Sequence, residues 1–235
     1  QNGAAYKLLG TAYAMCNHED ESIRELTRAS ELLPEDSEVH LNLGGVFMLQ
    51  DMYESAARCF RKVVEIDPMD RLGYANLAAA YDVDKKYDEE IQVLKKILMF
   101  APEDIELRSA LSTAYFNSEN YDEALNHALC VIELDEKDPQ AYCNLGSCYS
   151  AQNMVDEAVE SFKKASEIDP DYSLPHTNLG SLYATIGRIE KAIKEFKLAT
   201  SMNQSDSLAW MNLYSCYKEV GRMEDAQEAF RKYES

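Results

Sequence analysis

Glycine and proline are scarce in this chain, nine and six among 235 residues. Sandwiches and barrels turn tightly many times and draw on both residue types repeatedly, so the shortage argues for helix. Cations are scarce as well: Lys and Arg number 23 against 42 Asp and Glu, a net charge of −19. That balance opposes a phosphate backbone and an anionic lipid surface alike, so nucleic acid is not expected as a partner. No run of 18 apolar residues occurs, and the first residues lack a basic stretch followed by an apolar block, so neither membrane insertion nor a signal peptide is expected. The six cysteines are scattered without the density of a secreted disulfide framework, which fits a reducing, cytoplasmic compartment. Also missing are His-Glu-x-x-His, a nucleotide-binding glycine loop and Cys-x-x-Cys, so the chain nominates no catalytic residue, no metal ligand and no cofactor.

What the chain does have is apolar residues at 46%, enough to bury a core, and a repeat. Leu9, Leu43, Leu77, Leu111, Leu145, Leu179 and Leu213 stand 34 residues apart. Four residues after each comes an aromatic: Tyr13, Phe47, Tyr81, Tyr115, Tyr149, Tyr183 and Tyr217. A small residue follows the Leu in six units, as Gly10, Gly44, Ala78, Ser112, Gly146 and Gly180, with Tyr214 the exception. Ala56, Ala124, Ala158, Ala192 and Ala226 recur further on, each trailed four residues later by Phe60, Ala128, Phe162, Phe196 or Phe230. Each unit carries two helical patterns separated by turn residues, and neither helix can bury its apolar stripe alone; stacking the units makes one core. Pro34, Pro68, Pro102 and Pro170 stop the second helices of their units.

This pattern resembles the tetratricopeptide repeat from about residue 3 to the end of the chain. The resemblance implies an all-α, right-handed superhelical solenoid of antiparallel helix pairs, with repeats at about 3–36, 37–70, 71–104, 105–138, 139–172, 173–206 and an incomplete 207–235. Repeat four is the least typical, with Arg108, Ala128 and Glu136 where a ring, Phe and Pro are usual. Repeat seven ends soon after Phe230 and Tyr233, so either the chain continues beyond these residues or its end packs against another molecule.

Numbering each repeat from 1, positions 4, 7, 8 and 11 share the core face of the first helix, and 2, 6, 9 and 13 the opposite face. The resemblance implies that this second face lines a concave groove where such proteins hold extended peptides. Position 6 is Asn42, Asn76, Asn144, Asn178 and Asn212, with Leu8 and Ala110 the exceptions. A side-chain amide can bond both C=O and N–H of an extended backbone without reading its sequence, so these five are the candidate peptide-binding residues. The ladder resembles that of the peptide-holding repeats of O-linked N-acetylglucosamine transferase. The competing reading has the amides bonding to their own or the neighbouring repeat. No Lys or Arg occupies positions 2, 6, 9 or 13. The two-carboxylate clamp for chaperone tails, another use of the family, is therefore not expected: Lys7 and Asn42 match it, but Thr11, Leu72 and Asn76 do not.

These readings converge on a non-catalytic protein interaction scaffold whose partner is a protein or peptide. Long-range attraction would favour a basic partner, although the acidity also has a bland account as a solvated outer surface. Two rival readings stay open: the targeting region of a larger enzyme such as a glycosyltransferase, and a structural scaffold that forms a homo-oligomer through its uncapped ends.

Overall fold

The computed structural model describes residues 2–234. Among them are fourteen α-helices and no strand: α1 (Gly3–Met15), α2 (Glu19–Leu32), α3 (Ser37–Leu49), α4 (Tyr53–Ile66), α5 (Arg71–Val83), α6 (Tyr87–Leu98), α7 (Ile105–Asn117), α8 (Tyr121–Leu134), α9 (Pro139–Ala151), α10 (Val155–Ile168), α11 (Leu174–Thr185), α12 (Ile189–Met202), α13 (Ser207–Glu219) and α14 (Met223–Glu234). Odd-numbered helices open a pair and even-numbered ones close it. The chain divides into two compact units, Gln1–Leu107 and Arg108–Ser235. Within the first unit the helices from α1 to α6 pack each against the next, and in the second those from α8 to α14 do, while Ser112 and Tyr115 of α7 meet Ala124 and His127 of α8.

Local chemistry sets the helix ends. An Asp precedes most opening helices and accepts from first-turn amides: Asp36 from Glu38 and Val39, Asp70 from Gly73, Asp104 from Leu107, Asp138 from Gln140 and Ala141, and Asp206 from Ala209, all at 2.8–3.3 Å. Tyr172 stands where that Asp would precede α11, and the N-cap there, Ser173, makes no side-chain capping bond. Three residues earlier Asp67, Asp135, Asp169 and Asn203 bond the amide two residues on at 2.9–3.1 Å, closing the turn between pairs. Part of the acidity is thus local turn chemistry.

Inside each pair the turn passes through one left-handed residue: Asn17, Asp51, Lys85, Glu119, Asn153, Gly187 and Gly221, with φ of 55–75°. The following amide reaches back to the carbonyl of the position-11 aromatic, as in Met154 N–H to Tyr149 O at 2.9 Å and Arg222 N–H to Tyr217 O at 2.9 Å. That six-to-one bond is a Schellman closure, and it satisfies a carbonyl the helix end would otherwise leave open.

Packing within pairs rests on a fitted contact. A Cβ added at Gly44, Gly146 or Gly180 would stand 2.5–2.7 Å from Phe60, Phe162 or Phe196. Those three rings are at most 2% exposed. Repeat four balances volume differently: Ser112 and Ala128 hold the same two positions, both buried, and Ser112 Oγ donates to Ala124 O at 2.8 Å. His127 stacks on Tyr115 beside them, ring centroids 5.6 Å apart.

One core expectation fails in the first repeat. Leu9 is 44% exposed, whereas Leu43 and Leu213 are at most 5% exposed. Leu43 packs in a cluster with Leu26 of the preceding pair, and among the described residues no pair precedes α1 to bury Leu9.

Candidate functional site

All five ladder residues lie on opening helices and are half-buried. Their surroundings differ. In the first unit Asn42 donates its amide to Thr11 Oγ1, at position 9 of the preceding repeat, at 3.1 Å. Asn76 faces no such partner, because position 9 of its preceding repeat is Gly45, where an added Cβ would meet nothing within 4 Å. In the second unit Asn212 repeats the first arrangement at the limit of bonding distance, 3.5 Å to Ser181 Oγ. Asn144 accepts from Gln140 Nε2, one turn earlier, at 2.8 Å. Among the described residues Asn76 and Asn178 make no side-chain hydrogen bond. Two rungs therefore join neighbouring repeats, one is steadied within its helix, and two present a bare amide.

The faces around the rungs also differ. In the first unit Leu8, Met15, Leu49, Leu72 and Val83 project with about half or more of their surface exposed. In the second unit the positions are hydroxyl-rich: Thr113, Ser147, Ser181, Thr185 and Ser215 each donate to a carbonyl four residues back in their own helix, at 2.9–3.2 Å. Their hydrogens are committed, and their oxygens remain as acceptors. Lys7, the one cation matching a clamp, is engaged by Glu38 at 2.7 Å and Asp36 at 2.9 Å, and those bonds raise its pKa.

Several of the remaining chemistry-bearing side chains are held by burial or by partners. Burial pushes the thiols of Cys59 and Cys148 up to about 11 and that of Cys143 to about 12, so each stays protonated and unreactive at neutral pH. His176 Nδ1 pairs with Glu195 Oε2 at 2.8 Å, and His40 Nε2 lies 2.9 Å from Pro34 O. Among the described residues no group of three His, Cys, Asp or Glu is placed to hold a metal ion, and no helix is long and apolar enough to cross a membrane.

Two features escape a reading by sequence pattern. Glu90 is 6% exposed at a position where five repeats carry Ala, and its Oε2 has no hydrogen-bond partner. Burial first, and Asp82 second, push its carboxyl up to about 7. The break in the Ala series at repeat three was the available signal. The other feature is a cavity beside Asn178, walled in part by Phe116 and Leu182, which no single repeat position announces.

Fold and face together define a class, an all-α solenoid of helix-pair repeats whose ladder positions carry no Lys or Arg. Models of the tetratricopeptide repeat match residues 37–69, 139–172 and 175–206, the second, fifth and sixth units. These matches support a tetratricopeptide repeat protein. A tetratricopeptide repeat protein from Parabacteroides merdae ATCC 43184 superposes with a TM-score of 0.82 at 16% identity, over 98% of this chain and 93% of that one. YrrB, described as a TPR protein with an unusual peptide-binding site, is 27% identical over 78% of this chain and 95% of its own, with a TM-score of 0.54. A MamA structure from Desulfovibrio magneticus RS-1 is 20% identical over 72% of this chain and 95% of its own, with a TM-score of 0.61. No curated protein matches the chain in sequence.

Proposed function

We propose that the chain is a non-catalytic interaction scaffold whose ladder face holds an extended segment of a partner protein, with Asn42, Asn76, Asn144, Asn178 and Asn212 reading its backbone. The observation that carries this is the pair of bare amides, Asn76 and Asn178, on a half-buried face without Lys or Arg. Asn is a weaker helix former than Ala by about half a kcal/mol, so an unpartnered Asn in mid-helix is a cost the isolated fold does not recover. A passing extended backbone supplies both the acceptor and the donor such an amide lacks. The peptide-binding site of YrrB, a structure similar to this chain, supports the same use of the fold. The acidic surface adds attraction for a basic partner, which salt would weaken.

The test selects binders from a random peptide display library on the purified chain, then compares their affinity for the wild type and for the triple variant Asn144→Ala, Asn178→Ala, Asn212→Ala. Each lost amide bond should weaken binding by about 0.5–1.5 kcal/mol, by similar amounts for peptides of unrelated sequence, because backbone is what is read. Asn178→Ala alone should raise the melting temperature slightly, because Ala is the better helix former and no hydrogen bond is lost, whereas in Asn212→Ala the lost bond to Ser181 should offset that gain. Unchanged affinity in the triple variant would remove the ladder from the function.

A further inference from the structure

Within the second unit the ladder face is indented. A cavity of about 220 Å³ opens beside Asn178, with Phe116, Ala151, Leu182 and the almost fully buried ring of Phe162 as its apolar lining. The polar part of its wall is Asn178 with the hydroxyls of Ser147, Ser150, Ser181 and Thr185. Every lining residue is neutral. The volume lies below the ~300 Å³ at which pockets for drug-sized ligands begin, and suits a single side chain.

The hydrogen-bond inventory fixes the orientation of what enters. Ser147, Ser181 and Thr185 already direct their hydrogens to carbonyls at 2.9–3.0 Å, so they offer oxygens only, and that of Ser181 also accepts from Asn212. Asn178 offers an N–H₂ and a carbonyl with no partner among the described residues. A ligand must therefore bring a carbonyl to the Asn178 amide, N–H groups to the surrounding oxygens, and an apolar group between them. A charged group would be desolvated against Phe116, Phe162 and Leu182 with no counter-ion in the wall. We infer that this cavity takes one uncharged apolar side chain from an extended peptide whose own amide groups lie against Asn178. The inference rests on the ladder reading above and adds sequence preference to it: the rungs read backbone, and this cavity selects the residue presented next to the fourth of them.

The test uses N-acetyl-leucine-N′-methylamide as the probe, with the glycine, aspartate and lysine analogues, in NMR titrations of the whole chain. The leucine compound should shift the Asn178 side-chain amide and the Leu182 methyls, with an affinity about tenfold above the glycine compound, the usual yield of one well-filled apolar pocket. The aspartate and lysine compounds should bind no better than glycine. Ala151→Trp and, separately, Thr185→Trp should fill the mouth and abolish the leucine advantage, with circular dichroism confirming intact helices. Equal binding of the leucine and glycine compounds, or no shift at Asn178 and Leu182, overturns the inference. The two readings fail separately. Glycine and leucine compounds that shift Asn178 equally sink the cavity and leave the ladder, whereas a leucine advantage with undiminished affinity in Asn178→Ala sinks backbone reading and leaves the cavity.

Discussion

Repeats three and five share a backbone plan and fill it differently. In repeat five Gly146 lies against Phe162, Ala158 is fully buried beside that contact, the turn passes through Asn153, and Asp169 closes the exit. Repeat three has Ala78 and Leu94 at the first two positions, both buried, so one side gains a methyl as the other gives up part of a ring. Its third position is Glu90 and its turn residue Lys85. A family model matches repeat five. The helix pair is thus held by a volume balance rather than by particular side chains. The balance tolerates a carboxyl at the Ala position, at the cost of burying an oxygen with no partner.

The largest loss is expected from Phe162→Ala. It should cost about 3–5 kcal/mol, because Gly146 has no side chain with which to fill the space. Leu94→Ala should cost less, about 2–3 kcal/mol, since fewer atoms leave and Ala78 already occupies part of the gap. Hydrogen exchange of the α10 and α6 amides measures both, and equal losses would refute the volume-balance account.

Glu90 gives the next effect. Its carboxyl is held at about 7 in the fold against 4.5 in an ordinary setting, so between those values the folded protein keeps a proton that the unfolded chain has released. The contribution to stability is whole below about 4.5 and is lost as pH rises through 7. Glu90→Ala restores the residue found in repeat five and removes an unpaired buried acceptor, which costs about 1–3 kcal/mol. Protection of α5 and α6 amides should fall between pH 5 and about 7.5 in the wild type and stay level in the variant; the same decline in both would show that Glu90 is not its source.

How much of this was written in the sequence depends on range. The 34-residue spacing of Leu and its aromatic gave the helix pairs and their register because it repeats in every unit. Burial does not repeat in the first unit: Leu9 obeys the pattern and is exposed, since burying it takes a neighbouring pair rather than a residue type. The ladder positions were legible, but which rungs are occupied was not, because that depends on what stands at position 9 one repeat earlier. Thr11 accepts from Asn42 and Gly45 leaves Asn76 bare, whereas Ser147 stands at the same position before Asn178 and makes no bond to it. Only the middle case follows from composition. The cavity beside Asn178 needs Phe116, Ala151 and Leu182 from three different helices, a juxtaposition no single-repeat pattern contains.

The smallest effect separates the two turns. Lys85 and Asn153 occupy the same left-handed position, with φ of 57° and 60°. A side chain there brings Cβ against the neighbouring carbonyl, at roughly 1–2 kcal/mol for an ordinary residue, and Asn tolerates the conformation better through local hydrogen bonding. Glycine has no Cβ to strain, and repeats six and seven already use it there as Gly187 and Gly221, in open space. Against this, glycine gains more freedom in the unfolded chain, which returns part of the benefit. Lys85→Gly should therefore stabilise the α5–α6 pair by about 0.5–1 kcal/mol, and Asn153→Gly should change the α9–α10 pair by no more than about 0.3 kcal/mol. Urea titration followed by exchange at each turn reads both. A gain at Asn153 equal to that at Lys85 would mean that residue type does not set the strain of these turns, and that the Schellman bonds to Tyr81 O and Tyr149 O hold both turns equally well whatever side chain they carry.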